Sequence, residues 1–276
     1  MAASESSVVR VAPPSRLRFP ELSEFVSRRE LLFFLVQTSI VRRYTSTAVG
    51  LLWVILQPLA MMLVFVMFFD RVLALDSEGI PFPLFVYSAL IGWQYFSNSV
   101  TDAMTSVSRE RELIRRVYLP RVFLPVVAAL SHLVDLGASL LLLAALMLVY
   151  DTAPDEALLL LPAFLVLVVC LSVGVGVWLS ALSVLFRDVP YAVPFVLQLL
   201  FFSSPIFYTV TVLEDRWRFF YQLNPLASII QGLRWTTVGG DAPSAALAGS
   251  VAIAVAILTS GLLFFGSREA DMINHL

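Results

Sequence analysis

The stretch Ser108-Arg109-Glu110-Arg111-Glu112-Leu113-Ile114-Arg115-Arg116-Val117-Tyr118-Leu119-Pro120-Arg121 decides how the chain is laid out. It holds a run of arginines between two long apolar segments, each longer than the ~20 residues a helix needs to cross a bilayer. So dense a cluster of charge cannot rest in hydrocarbon, so the stretch marks a membrane face. Its own pattern is mixed. Arg111 and Arg115, like Glu112 and Arg116, stand one helical turn apart, while Leu113, Ile114 and Val117 supply an apolar side. A loop that only fixes topology by charge has no use for an apolar side. The pattern instead favours a helix that seats in a groove of a partner.

Composition points the same way. The chain is 59% hydrophobic and 14% charged, with a mean hydropathy of +0.87, which places it among polytopic helical membrane proteins. A net charge of -2 gives no basic surface for nucleic acid. All 18 of the Lys-plus-Arg residues are Arg, so a Gly-x-x-x-x-Gly-Lys-Ser/Thr phosphate loop is excluded, and with it an ATPase of that type. Two histidines (His132 and His275) and the single Cys170 are too few for a dedicated metal site, and no cofactor is expected in this chain. The first twenty residues lack the apolar core of a signal peptide, so the N-terminus is expected to stay in the cytoplasm.

Working outward from the charged stretch gives an all-α membrane protein with six transmembrane helices. Residues 1–20 read as a flexible cytoplasmic tail. Residues 21–47 read as an amphipathic interface helix, with Leu22, Val26, Phe33, Val36 and Ile40 on one face. Arg28, Arg29, Arg42 and Arg43 bracket its most apolar part, which is too short to span, so it is expected to lie along the cytoplasmic surface. A plain charged start to the first span is the alternative. Residues 48–276 form the transmembrane domain, with spans at 48–69, 82–107, 122–149, 157–185, 191–210 and 245–265. The first carries Gln57-Pro58, where a proline removes a helix hydrogen bond. The fourth carries Gly174-Val175-Gly176, which suits close helix packing. Residues 211–241 are half polar and half aromatic, and are read as re-entrant helices on the far side of the membrane.

Orientation follows from the arginines. Six spans put fourteen arginines on the side of the opening stretch and four on the other, while the acids outside the spans divide nine to nine. Cytoplasmic loops carry the excess of basic residues, so both termini and the 108–120 helix are expected in the cytoplasm.

Inside the spans the ionisable residues are few. Asp102 and Asp135 are the acids, and His132 stands one helical turn before Asp135. A carboxylate at mid-membrane costs about 2.5–3.5 kcal/mol, so each must face protein or water. The group reads either as an interhelical hydrogen-bonded pair that fixes packing or as a proton or substrate contact. No chain of further acids continues a relay path.

Four stretches also carry a resemblance to a known family. Arg43-Tyr44 with Gly50-Leu51-Leu52-Trp53 and Gln57-Pro58-Leu59 is similar to the start of the family's first span. Leu113 through Arg121 is similar to its cytoplasmic motif between spans two and three, and Phe186-Arg187-Asp188-Val189 to its turn between spans four and five. Ser204-Pro205 and Leu223-Asn224-Pro225-Leu226 match the region before the last span. In this order they resemble the membrane subunit of ABC-2 type polysaccharide exporters, which move lipid-linked O-antigen, teichoic acid, galactan or capsule glycans.

The resemblance implies a homodimer, two copies of a separate ATP-binding subunit that hold ATP and Mg, a polyprenyl-linked polysaccharide substrate, and the inner membrane. It implies ATPase coupling through Arg109, Arg111, Glu112, Leu113, Ile114, Arg115, Arg116, Val117 and Tyr118, with Arg187 and Asp188. Arg28, Arg29, Arg42, Arg43 and Tyr44 belong to the interface helix. Candidate glycan-path or exit aromatics are Trp53, Trp93, Tyr95, Phe207, Tyr208, Phe219, Phe220, Tyr221 and Trp235. The alternatives are an ABC-2 permease for a drug or lipid, and a polytopic membrane glycosyl- or acyltransferase. The second would need acids, histidines or basic clusters gathered near a lipid phosphate.

Overall fold

A computed structural model describes residues 27–45, 52–70, 77, 79–116, 119–209, 224–243 and 246–275. Among them the regular structure is helical, without a strand. The helices are α1 (Arg29–Thr45), α2 (Leu52–Phe65, continued by a π-helical turn Val66–Asp70), α3 (Phe82–Arg109), α4 (Arg111–Arg116), α5 (Phe123–Leu130), α6 (Leu133–Val149), α7 (Leu161–Leu185, entered through a 3-10 turn Glu156–Leu160), α8 (Val189–Phe202), α9 (Pro225–Val238) and α10 (Ala246–His275). Four helical stretches are long and apolar enough to cross a membrane: Leu52–Asp70, Phe123–Val149, Glu156–Leu185 and Leu247–Glu269. A shorter apolar helix is Val189–Phe202.

The bundle is organised around α3. This helix is less apolar than its neighbours, because it carries Ser88, Gln94, Ser97, Asn98, Ser99, Thr101, Asp102, Thr105 and Ser106. Much of it is nevertheless enclosed, with Leu84 through Tyr87, Ala89, Val100 and Ala103 fully buried. Hydroxyls on its buried sides are tolerated only if they find acceptors. They do: Ser88 and Ser106 donate back to carbonyls three residues earlier, at 3.0 and 2.7 Å, and Ser99 reaches the Ala129 carbonyl at 3.3 Å. Around α3 pack α2, α5, α6, α7, α8 and α9, and α10 lies along α7.

The close approach of α7 to its neighbours explains the glycine patch. A Cβ on Gly174 would come within 2.8 Å of the α10 backbone at Leu258, and one on Gly176 within 2.6 Å of Ala103 Cβ on α3. These two positions need glycine for space. Trp178, a turn further on, seals the α7–α10 seam by donating to Ser260 Oγ at 3.0 Å and stacking on Phe264 at 4.2 Å between ring centroids.

Two features differ from the sequence expectations. The run 122–149 is a single apolar segment but not a single helix: it turns at Ser131–His132 between α5 and α6. The 191–210 run is helical only to Phe202, after which Ser203–Thr209 is irregular, as a proline at 205 requires. Of the 211–241 stretch, the described part holds a 14-residue helix, α9, capped by Asn224, whose side chain accepts from Leu226 N at 3.1 Å. Residues 210–223, including Phe219, Phe220 and Tyr221, lie outside the described residues, as do residues 1–26 with Leu22 and Val26 of the expected interface helix.

Of the face expected for α1, Val36 and Ile40 are half-buried, together with Leu31, Leu32, Leu35, Ser39, Arg43 and Tyr44, while Phe33 and its neighbour Phe34 stay 72% and 61% exposed. The helix packs on α5 through the face that carries Leu32 and Leu35 and turns its two phenylalanines away from the protein.

Two hydrophobic cores follow from this arrangement. The larger fills the bundle around α3. The smaller joins Val107, Leu119, Val122, Phe123, Val184, Phe265 and Met272, with Leu32, Leu35 and Ile114 against it. It therefore gathers α1, α4, the last turns of α7 and the end of α10 at one end of the molecule.

Candidate functional site

Between these two cores lies a polar cluster at the turn that splits α5 from α6. Its centre is the guanidinium of Arg43, near the end of α1. Arg43 donates to Asp102 on α3 at 3.1 Å, to Asp135 on α6 at 3.1 Å, and to Ser131 Oγ at 2.8 Å, and lies 2.8 Å from His132 Nδ1. Arginine suits this position because its planar fork offers five donors to partners that diverge, which a point-charge ammonium cannot. His132 is itself 2.7 Å from Asp135 Oδ2 and, through Nε2, 3.0 Å from Asp102 Oδ2. The Tyr44 hydroxyl donates to Asp135 Oδ1. Arg109, at the far end of α3, closes the set by donating to Asp102 at 3.1 Å.

The sequence singled out Asp102, His132 and Asp135 as intramembrane polar residues, and the structure brings all three into one group. It also supplies what sequence reasoning missed: the counter-charge comes from the interface helix. Two acids in apolar spans that hold no arginine of their own were the signal that could have found it. With Arg43 and Arg109 set against Asp102 and Asp135, the cluster is charge-balanced. The arrangement also shows why the chain turns at 131–132: the turn leaves Ser131 and His132 facing Arg43 together.

The described residues among those expected to couple to an ATPase include several at the same end. Arg42 donates to Glu110 at 2.9 Å, tying α1 to the residue that joins α3 to α4. Arg111 and Glu112 are exposed on α4, and Ile114 leans into the smaller core. The side chains of Leu113, Arg115 and Arg116, with Val117 and Tyr118, lie outside the described residues. Arg187 and Asp188 are exposed in the turn between α7 and α8, close in sequence to Val184 of the smaller core. Arg121 adds a tie that sequence reading did not single out, donating to the Glu269 carbonyl at 3.2 Å and so joining the start of α5 to α10. Arg28 is half-buried and Arg29 exposed at the start of α1.

The aromatic candidates separate into two kinds. Trp53 and Tyr95 line a half-open cavity of about 340 Å³ that continues from the polar cluster between α1, α2, α3 and α6. Trp93, by contrast, is a core residue set edge-on to Phe201 at 5.2 Å. Phe207 belongs to an aromatic stack, 4.6 Å from Phe69 and 5.6 Å from Phe65, with Tyr208 at its edge. Trp235 is half-buried against the larger core.

One further residue was counted in the sequence only as a charge on the far side. Arg234 on α9 is only 5% exposed. It donates to the carbonyls of Phe85 at 3.2 Å, Pro205 at 2.7 Å and Ile206 at 3.1 Å, with its guanidinium 3.5 Å above the Phe85 ring. The irregular backbone after α8 leaves carbonyls without helical donors, and an apolar interior offers no water to replace them. Arg234 fills that need.

Comparison with known proteins agrees with this architecture. A family model described as ABC-2 type transporter matches residues 30–238. The chain is 29% identical over 252 residues to the O-antigen export system permease protein RfbA of Myxococcus xanthus, covering 90% of this chain and 96% of that protein. It is 26% identical over 212 residues to the protein of the same name from Klebsiella pneumoniae, covering 76% and 81%. It is 22% identical over 233 residues to the polysialic acid transport protein KpsM of Escherichia coli, covering 84% and 90%. The family match takes in α1 through α9, including the polar cluster and every tie to the 108–120 stretch, and the apolar helices make this a multi-pass membrane protein. The chain belongs to the ABC-2 type transporter family.

Proposed function

We propose that this chain is the membrane subunit of an ATP-driven exporter for a lipid-linked polysaccharide, working as a homodimer with two copies of a separate ATP-binding subunit that binds ATP and Mg. The observation that carries the reading is the end of the bundle where α1, α4, the last turns of α7 and α10 meet in one small core, tied to the spans by Arg42, Arg43 and Arg109. A motor protein pressing on α4 from the cytoplasm would move that end as a unit. The printed names of the relatives, O-antigen export and polysialic acid transport, favour a glycan over a drug or a lipid as cargo.

In this reading six helical segments cross the inner membrane with both termini in the cytoplasm. α3, with 28 residues, is about 42 Å long and crosses as the shielded centre of the bundle. α8, with 14, is about 21 Å and falls short of a ~30 Å hydrocarbon core. The irregular 203–209 segment completes its crossing, buried at Ser204 and Ile206 and held by Arg234. α9 then dips back into the membrane as a re-entrant helix, and the exposed Phe33 and Phe34 of α1 rest in the lipid interface.

The test is to replace the apolar side of the 108–120 helix, Leu113→Asp with Val117→Asp. The expected result is normal insertion, intact assembly of the spans, and loss of surface glycan by tenfold or more, with ATP hydrolysis no longer responding to glycan. Normal export by this double variant overturns the coupling role.

A further inference from the structure

The cavity beside the polar cluster has a chemistry of its own. It is lined on α2 by Trp53 and Gln57, and on α3 by Gln94, Tyr95 and Asn98. None of the three amide side chains has a hydrogen-bond partner among the described residues. Their position makes that unusual. Gln57 sits in a stretch, Leu52–Asp70, with a mean hydropathy of 2.3, and Gln94 and Asn98 lie near the middle of a 28-residue helix. A polar side chain at such depth faces a partner, a water-filled space or a ligand. Here all three face the same space.

The charges along one wall narrow the ligand. Arg43 is already engaged by Asp102 and Asp135, and Arg109 by Asp102, so two guanidinium groups stand against two carboxylates. Among the described residues that line the cavity, no arginine is left over to draw a phosphate. What remains available are amide donors and acceptors, the Trp53 ring and a volume of about 340 Å³, at the small end of the ~300–1,000 Å³ typical of ligand sites. Amides match hydroxyl groups, which both give and take hydrogen bonds, and an indole face suits the apolar face of a pyranose. Tyr95 is committed, its hydroxyl donating to the Ala129 carbonyl at 3.2 Å, so it shapes the floor and does not reach for a ligand.

We propose that this cavity is a subsite for a neutral, hydroxyl-rich sugar unit, held by Gln57, Gln94, Asn98 and the face of Trp53, and that it does not receive the phosphate of the lipid carrier. The proposal rests on the reading of the chain as a glycan exporter, and names the part of the substrate met at this place. A site built from uncharged contacts holds each unit weakly and evenly, which suits a polymer that has to slide.

The experiment uses the full complex with its ATP-binding subunit in lipid nanodiscs, and follows tryptophan fluorescence. The probes are the oligosaccharide freed by mild acid from the producing cell's own surface glycan, and inorganic pyrophosphate. The oligosaccharide is expected to quench a signal that disappears in Trp53→Phe. Gln57→Leu and Asn98→Leu, which suit an apolar span and so keep the chain foldable, are expected to weaken binding tenfold or more, and Gln57→Asn less. Pyrophosphate is expected neither to quench nor to compete. Competition by pyrophosphate assigns the cavity to the carrier head group and overturns the proposal, as does wild-type affinity in both Leu variants. The export reading has its own control: surface glycan retained by cells lacking this chain sinks that reading, whatever the binding shows.

Discussion

Two arginines set deep in this molecule solve the same problem in opposite ways. Arg234 gives its donors to three backbone carbonyls and its face to Phe85. Arg43 gives its donors to side chains on α3, on α6 and at the turn between α5 and α6. Backbone carbonyls move only if the fold moves, so Arg234 is a fixed staple. Side chains have rotamers and alternative partners, so the group around Arg43 can rearrange without unfolding anything. The first belongs to architecture, and the second is suited to passing a movement from α1 and α4 into the spans.

Breaking the staple is expected to have the largest effect. Arg234→Met leaves three buried carbonyls without their donor, each at about 1–3 kcal/mol. The yield of folded protein and the Tm in detergent should fall together, and an unchanged Tm would remove Arg234 from this role. Arg43→Ala comes next. It removes the shared cation from two acids whose side chains keep 29% and 19% exposure, leaving Arg109 on Asp102 and His132 and Tyr44 on Asp135, so the cost stays below the ~3 kcal/mol of a fully unpaired buried charge. Adding Asp102→Asn and Asp135→Asn should restore the Tm but not export. If the triple variant exports normally, the cluster serves packing alone. The smallest effect on stability is expected from Arg42→Glu, since that side chain is 72% exposed and such pairs contribute under about 1 kcal/mol. Its effect should appear in export, and the swap Arg42→Glu with Glu110→Arg should restore it.

The comparison also shows what could be read from the sequence. Long apolar runs bounded by charge give helices nearly where they occur, because burying the backbone in hydrocarbon leaves few other structures. Hence the runs at 48–69, 82–107 and 157–185 correspond to α2, α3 and α7 within a few residues. The turn at Ser131–His132 was not legible, because the residues on both sides of it are apolar helix formers and no proline or glycine marks it. The end of α8 was partly legible, since Ser203-Ser204-Pro205 is a break signal set within an apolar run. The acids of the cluster could be picked out singly, as charges in oil. Their partner could not: Arg43 lies 59 and 92 residues away from them along the chain, and no local period links such distances. Arg234 was hidden for the same reason, its acceptors being 28 to 149 residues distant.

The seam between α7 and α10 bears on how the protein is made. Gly174 and Gly261 bring the two backbones so close that a Cβ on Gly261 would stand 2.8 Å from the Gly174 carbonyl oxygen. Yet α10 follows α7 by some sixty residues along the chain, so α7 is synthesised well before it. During translation α7 must therefore wait in the membrane with its narrowest groove unfilled. A chain cut short before residue 246 would keep that groove open, giving the cell's proteases a means of telling an unfinished copy from a complete one.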